Sequence, residues 1–153
     1  MTFKLAHEAF MQELVAGHTH ALTITLRNDS PKESMQNRRL RFQATIRHLL
    51  YRTARMCFNN RHKRHCLQIG AVVVIENGRT LGRPHAHLSL ACPLETPYNR
   101  FESVVLNAVS KCLSLSTRQC VLKPISNSNG WASYMAKDGP EAFVPECTQL
   151  AKA

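Results

Sequence analysis

The apolar positions change period along the chain, and those changes predict the elements. Over residues 3–16, Phe3, Ala6, Phe10, Leu14 and Val15 recur at helical spacing until Gly17 ends the pattern. Leu22, Ile24 and Leu26 then alternate with Thr23 and Thr25, which predicts a half-buried strand. Asn28-Asp29-Ser30-Pro31 reads as a loop and a helix entry. From about residue 32 to 59 helical spacing returns, with Leu40, Ile46, Leu49, Leu50 and Met56 available for one broad face. Residues 67–75 are nearly continuous and β-branched around Val72-Val73-Val74-Ile75, the pattern of a central buried strand. Glu76-Asn77-Gly78 breaks that run, and His85 to Cys92 resumes it, so the two strands are expected to form an antiparallel hairpin.

Beyond Pro93 and Pro97 the period lengthens again. Phe101, Val104, Val105, Ala108, Val109 and Cys112 share one face of a helix expected over residues 101–115. A short strand follows at 119–125, then a polar loop, Ser126 to Gly130, suited to capping a helix at 131–137 that Gly139-Pro140 stops. Helices and strands mix without strict βαβ alternation. That predicts an α+β fold with a central antiparallel sheet, strands 67–75 and 85–92 at its middle, and helices packed on it. At 153 residues the chain is expected to form a single domain over 1–153, with a loose tail over about 141–153 where patterning fades.

Composition narrows the classes. A hydrophobic share of 44% is that of a globular rather than a disordered chain. No apolar run approaches the ~18 residues of a membrane span, so no membrane partner is expected. The start, Met1-Thr2-Phe3-Lys4-Leu5-Ala6-His7-Glu8, is too polar and acidic for a signal peptide, and a cytoplasmic location is expected. There the six cysteines are expected as thiols, and none forms a Cys-x-x-Cys pair. Cys57, His62, His65 and Cys66 could be drawn as a zinc site, but their spacing matches no standard pattern.

Twenty Lys and Arg against ten Asp and Glu give +10, an excess that suits a polyanion such as nucleic acid. Arg38, Arg39, Arg41, Arg47, Arg52 and Arg55 dominate the second helix, which runs into Arg61-His62-Lys63-Arg64-His65. A merely solvated face does not need charge of one sign, so phosphate contact is expected here.

Two constellations carry candidate chemistry. His85 and His87 lie two apart on a strand and therefore share a face. Glu76 closes the preceding strand and comes near the same sheet end. Two imidazoles and a carboxylate make a three-ligand metal site with positions left for substrate and water. The second constellation is Trp131-Ala132-Ser133-Tyr134-Met135-Ala136-Lys137, in which Tyr134 and Lys137 are three apart and share a helix face. A phenol ordinarily titrates near 10, so it needs an adjacent cation to act as a nucleophile at neutral pH. A helical tyrosine beside a tryptophan also often simply packs.

In order along residues 20–140, these features resemble the HUH endonuclease superfamily, which includes rolling-circle replication initiators (Rep proteins), relaxases and single-tyrosine transposases. Ala21-Leu22-Thr23-Ile24-Thr25-Leu26-Arg27 is similar to its first motif, a strand. Pro84-His85-Ala86-His87-Leu88-Ser89-Leu90 resembles its His-hydrophobic-His motif, and Tyr134-Met135-Ala136-Lys137 its Tyr-x-x-Lys motif. A Glu-x-Gly turn followed by Arg-Pro-His-x-His is the form seen in small-phage and plasmid initiators, here Glu76-Asn77-Gly78 and Arg83 to His87.

The resemblance implies a ferredoxin-like Rep nuclease fold and a transesterification. Glu76, His85 and His87 would hold Mg²⁺ or Mn²⁺, and Tyr134, assisted by Lys137, would attack the scissile phosphate. A 5′-phosphotyrosyl link and a free 3′-OH would result. The partner implied is single-stranded or hairpin DNA at a replication origin, contacted by Arg61, Lys63, Arg64, Arg79 and Arg83. With one motif tyrosine and no Walker sequence, the chain resembles a nickase that relies on a host helicase, as monomer or dimer. The rivals are an insertion-sequence transposase, which usually has Gln after the tyrosine and Asn-His before the second ligand, a zinc hydrolase using activated water, and a non-catalytic nucleic-acid-binding protein.

Overall fold

The computed structural model describes residues 1–27, 32–77 and 83–151. The Asn28-Asp29-Ser30-Pro31 loop, Gly78 of the hairpin turn and Arg79 lie outside the described residues. The elements are α1 (Phe3–Val15), β1 (His20–Thr25), α2 (Met35–Phe58), α3 (Arg61–His65), β2 (Gly70–Glu76), β3 (His85–Ala91), α4 (Tyr98–Lys111), β4 (Val121–Pro124) and α5 (Ser128–Ala136). Short 3₁₀ turns stand at Thr117–Gln119 and Pro140–Ala142.

The four strands form one antiparallel sheet in the order β2-β3-β1-β4. From β1 to β4 the path is β-α-β-β-α-β, with β3 inserted between β1 and β2. This is the ferredoxin-like arrangement. The α+β architecture expected from the pattern is therefore present. The middle of the sheet differs from expectation: β3 and β1 are central, and β2 stands at the end of the four-strand order. Strand β2 still reads as buried because its other edge is covered. Ala71 bridges to Gln149 and Val74 to Phe143, and Val144 N–H donates to Val73 O at 2.9 Å.

In the segment from Glu141, expected to be loose, residues 143–149 are thus tied to the sheet. Val144 and Cys147 are buried beneath it, and Gln149 Nε2 donates to Ile69 O at 2.8 Å. Its attachment depends on single residues in irregular backbone, which no periodicity announces.

The strand alternation divides the sheet into two faces. Leu22, Ile24 and Leu26 of β1 and its continuation, Ala71, Val73 and Ile75 of β2, and Ala86, Leu88 and Leu90 of β3 point to one side. There they meet Phe42, Ile46, Leu49, Leu50 and Ala54 of α2 and Phe101, Val105, Ala108 and Val109 of α4. Each fully buried Leu, Ile or Phe contributes roughly 1.5–3 kcal/mol of transfer free energy, so this layer dominates the stability. The apolar face expected for α4 is buried throughout; in α2, Leu40 turns out to solvent at 54% exposed while Phe42 takes the core position.

The second face is covered only in part. Helices α1 and α5 lie over Val72 and Val74 through Met11, Val15, Ala132, Met135 and Ala136. The buried stripe of α1 is Met11 and Val15; of the residues expected on it, Phe3 is largely exposed and Phe10 half-exposed, edge-on to Phe143. Asn127 caps α5 by accepting from Gly130 N–H at 2.9 Å, as the polar loop predicted.

Candidate functional site

The polar part of the second face carries the candidate chemistry. Register places it: Glu76 and Thr25 stand opposite His85 on either side of β3, and Thr23 and Val74 stand opposite His87. Because side chains alternate, Thr23, Thr25, Glu76, His85 and His87 all share the face from which Ala86, Ile24 and Ile75 are excluded. His85 and His87 therefore project side by side from a rigid central strand.

Each imidazole is held by a threonine hydroxyl. His85 Nδ1 lies 2.8 Å from Thr25 Oγ1, and His87 Nδ1 lies 2.9 Å from Thr23 Oγ1. On the other side of His87, Nε2 is 3.4 Å from Glu76 Oε2. Glu76 Oε1 faces Lys137 Nζ at 3.2 Å. That oxygen is buried, and the ammonium reaches it as an ion pair without an aligned hydrogen bond. The carboxylate thus joins the hairpin to the end of α5.

Helix α5 brings Tyr134 over this cluster. Its ring meets His87 edge-on at 5.0 Å between centroids and 76° between planes. Trp131, one turn earlier, stacks on Tyr134 at 5.4 Å and 17° and also meets His87 edge-on. Lys137, one turn later, sets its Nζ 3.9 Å from the Tyr134 ring centroid. Residues 131, 134 and 137 thus form a ladder at helical spacing, in which each side chain leans toward the preceding turn. Tyr134 remains 44% exposed, so these neighbours cover the residue only in part.

The charges follow from these neighbours. Burial pushes the His87 imidazole below its ordinary range, and Lys137 and His85 add to that, against the pull of Glu76. His87 is accordingly neutral at physiological pH, the form that ligates a metal. For Lys137, burial works against the charge, but its contacts with Tyr134 and Glu76 outweigh it and hold the ammonium above its ordinary range. Lys137 stays cationic at neutral pH and serves as a fixed positive charge rather than a base.

Among the described residues, no three His, Cys, Asp or Glu side chains form a group that could hold a metal ion. Glu76 is instead engaged by Lys137 and His87. The donor chemistry nevertheless fits a divalent cation. Two imidazoles have their Nδ1 atoms turned away, a carboxylate stands at the same sheet end, and one buried carboxylate oxygen lacks an aligned donor. Cys57, His62, His65 and Cys66 form no such group either, and all six cysteines are free thiols. His62 Nδ1 is taken up by Leu67 O at 2.8 Å.

The basic residues divide. Arg83 precedes β3 at the site end of the sheet, and its Nε is buried with no hydrogen-bond partner among the described residues. Arg61, Lys63 and Arg64 are exposed on α3, which leads into the opposite end of β2. A strand of this length spans roughly 20 Å, so the structure does not bring them to the histidines. Arg61 pairs with Glu95 at 3.3 Å and lines a 760 Å³ cavity with Cys57, Phe58, Ala91, Cys92 and Arg100. The arginines of α2 lie beyond the apolar face. Arg41 pairs with Glu33 at 2.8 Å, and Arg39 donates to Glu141 O at 3.0 Å.

Thr23, Thr25 and Trp131 were not among the candidate site residues. Their signal was present as a Thr-x-Thr alternation with the same period as His-x-His, and as the i, i+3, i+6 spacing of Trp131, Tyr134 and Lys137. What no local pattern gives is that β1 lies beside β3. No protein-family model, curated protein or solved structure matches the chain.

Proposed function

We propose that the protein is a metal-dependent endonuclease that nicks and rejoins single-stranded DNA through a phosphotyrosyl intermediate. The observation that carries this reading is the meeting of Glu76, His85 and His87 with the Tyr134–Lys137 pair on one sheet face. A half-exposed tyrosine, a fixed ammonium and two imidazoles beside a carboxylate are the parts that phosphoryl transfer to a tyrosine requires.

Glu76, His85 and His87 would hold the cation, and two imidazoles with one carboxylate suit Mn²⁺ better than Mg²⁺. A cation there supplies charge neutralisation at the scissile phosphate. Tyr134 Oη attacks phosphorus in line, forming the tyrosyl P–O bond as the bond to the 3′ oxygen breaks. The phenol gives up its proton to solvent, and the departing oxygen takes one up as a 3′-OH. Lys137 steadies the phenolate and the phosphate by its charge. Trp131 holds the Tyr134 ring in its plane by stacking.

Because the ester is conserved, the reverse attack rejoins the strand, and the 3′-OH can prime synthesis. This supports a place in initiating rolling-circle replication of a plasmid or phage, at an origin presented as single-stranded or hairpin DNA. The single motif tyrosine, with no Walker sequence in these 153 residues, fits a nickase served by a separate helicase. Among the described residues no helix is long and apolar enough to cross a membrane, and a membrane partner plays no part in this reading.

The test is incubation of the protein with labelled single-stranded oligonucleotides and Mn²⁺. A denaturation-resistant protein–DNA adduct that is absent in Tyr134→Phe is the expected result. Cleavage without an adduct, retained in Tyr134→Phe, would instead point to hydrolysis by activated water. Binding without cleavage, unaffected by loss of His85, would point to a nucleic-acid-binding protein.

A further inference from the structure

Four histidines on or beside the central strands bond a hydroxyl through Nδ1. His18 bonds Ser89, His20 bonds Thr19, His85 bonds Thr25 and His87 bonds Thr23. What the opposite nitrogen does separates them. His20 Nε2 is taken by Glu102 at 3.1 Å, a contact between a fully buried imidazole and a part-exposed carboxylate that pins α4 to β1. His87 Nε2 faces Glu76, and among the described residues His85 Nε2 makes no hydrogen bond. The Thr23 and Thr25 hydroxyls therefore occupy one nitrogen of each ring and leave the other at the site.

We infer that Thr23 and Thr25 are positioning residues that fix the orientation and tautomer of His87 and His85, so that both present Nε2 to a divalent cation. Three observations carry this. The pairs are cross-strand partners in register, Thr23 with His87 and Thr25 with His85, so one strand indexes the other. Both bonds are short, at 2.9 and 2.8 Å. Thr25 is 2% exposed, where packing alone would accept valine and a hydroxyl is costly unless bonded. An outer hydroxyl accepting from Nδ1–H leaves the Nε2 lone pair free and raises its basicity, as outer-shell partners of metal-bound histidines do.

The inference rests on the metal reading of the same site and adds to it which residues set the geometry. It also explains why the first strand, which holds no metal donor of its own, belongs to the constellation. Loss of a hydroxyl is expected to weaken cation binding without disturbing the core, because Thr→Val keeps the shape of the side chain.

Calorimetric titration of the full chain with Mn²⁺ tests this in Thr23→Val, Thr25→Val and the matching Thr→Ser variants. Valine is expected to lower Mn²⁺ affinity by about 10- to 100-fold, and serine, which restores the hydroxyl, to stay within a few fold of the wild type. Valine variants that bind as tightly as the wild type overturn the assignment, as do serine variants that lose as much as valine. Histidine ring ¹⁵N spectra of the metal-free protein give a readout independent of the cation. One tautomer per ring is expected in the wild type and the serine variants, and a mixture in the valine variants. If the wild type binds no Mn²⁺, the metal reading fails. The spectra then decide positioning alone: a valine-induced mixture upholds it, and unchanged rings overturn it.

Discussion

The two faces of the sheet are built from the same three strands and differ in nearly every physical respect. On one, Leu22, Ile24, Leu26, Val73, Ile75, Leu88 and Leu90 are closed over by α2 and α4. On the other, Thr23, Thr25, Glu76, His85 and His87 occupy the neighbouring positions of those strands, where α1 and α5 close over Val72 and Val74 and the Trp131 and Tyr134 rings of α5 lean on His87. Folding free energy is concentrated in the first. The second places polar groups where burial costs stability unless each finds a partner, and they do so largely through one another. A rigid apolar layer thus fixes the strands, and the strands fix the spacing of the polar layer. Substitutions on the two faces should accordingly separate activity from stability.

The largest separation is expected at Tyr134. Tyr134→Phe removes one oxygen and keeps the stack with Trp131. Adduct formation should be lost completely, while the thermal midpoint moves by no more than a degree or two. A variant that still forms adduct assigns the nucleophile elsewhere.

The reverse separation is expected in the core. Phe101 is fully buried under the apolar face, and Phe101→Ala leaves a cavity there. Its cost should be about 3–5 kcal/mol by denaturant titration, with nicking by the folded fraction at 20 °C little changed. If specific activity falls in proportion to the stability lost, the two faces are not independent.

Much of this contrast was visible in the sequence. The β2–β3 hairpin, the apolar stripe of α4, the cap of α5 and the pairing of Glu76 with the histidines all follow from local period, turn chemistry and spacing. The position of β1 beside β3 does not, because strand order is a long-range choice that alternation leaves open. The same limit explains why β2 was expected at the middle: a strand covered on both faces and along its edge reads like a central one. The tail carries its anchors singly, at Phe143, Val144 and Gln149, so no window reveals them. The basic run at 61–64 was legible as charge, but charge does not say which end of the sheet it reaches.

A smaller effect is expected at Glu76, where the polar face meets α5. Glu76→Gln removes an anionic donor and the partner of Lys137, whose side chain is 40% exposed and can turn to water. Mn²⁺ affinity should fall by more than about tenfold in a calorimetric titration, since even outer-shell partners matter at that scale. Stability should change by less than about 1 kcal/mol, because a partly exposed ion pair contributes little. A fall of several kcal/mol would make Glu76 a structural strut of the polar face rather than a ligand.

The smallest effect tests whether the polar face sets the pH response of the fold. His18 lies against Ser89, on the face of β3 that carries His85 and His87, and burial lowers its pKa below the ordinary value. An unfolded histidine titrates near 6.5. Between that value and the lower folded one, the unfolded chain binds a proton that the native chain refuses. The stability is therefore fully present above about pH 6.5 and declines as the pH falls below it. His87, lowered chiefly by burial, acts in the same direction. The unfolding midpoint should drop modestly between pH 7 and 5.5, a window above most carboxylate titration, and His18→Gln should flatten the slope. A midpoint that rises on acidification would mean that His18 and His87 gain a proton on folding, against the burial that lowers both.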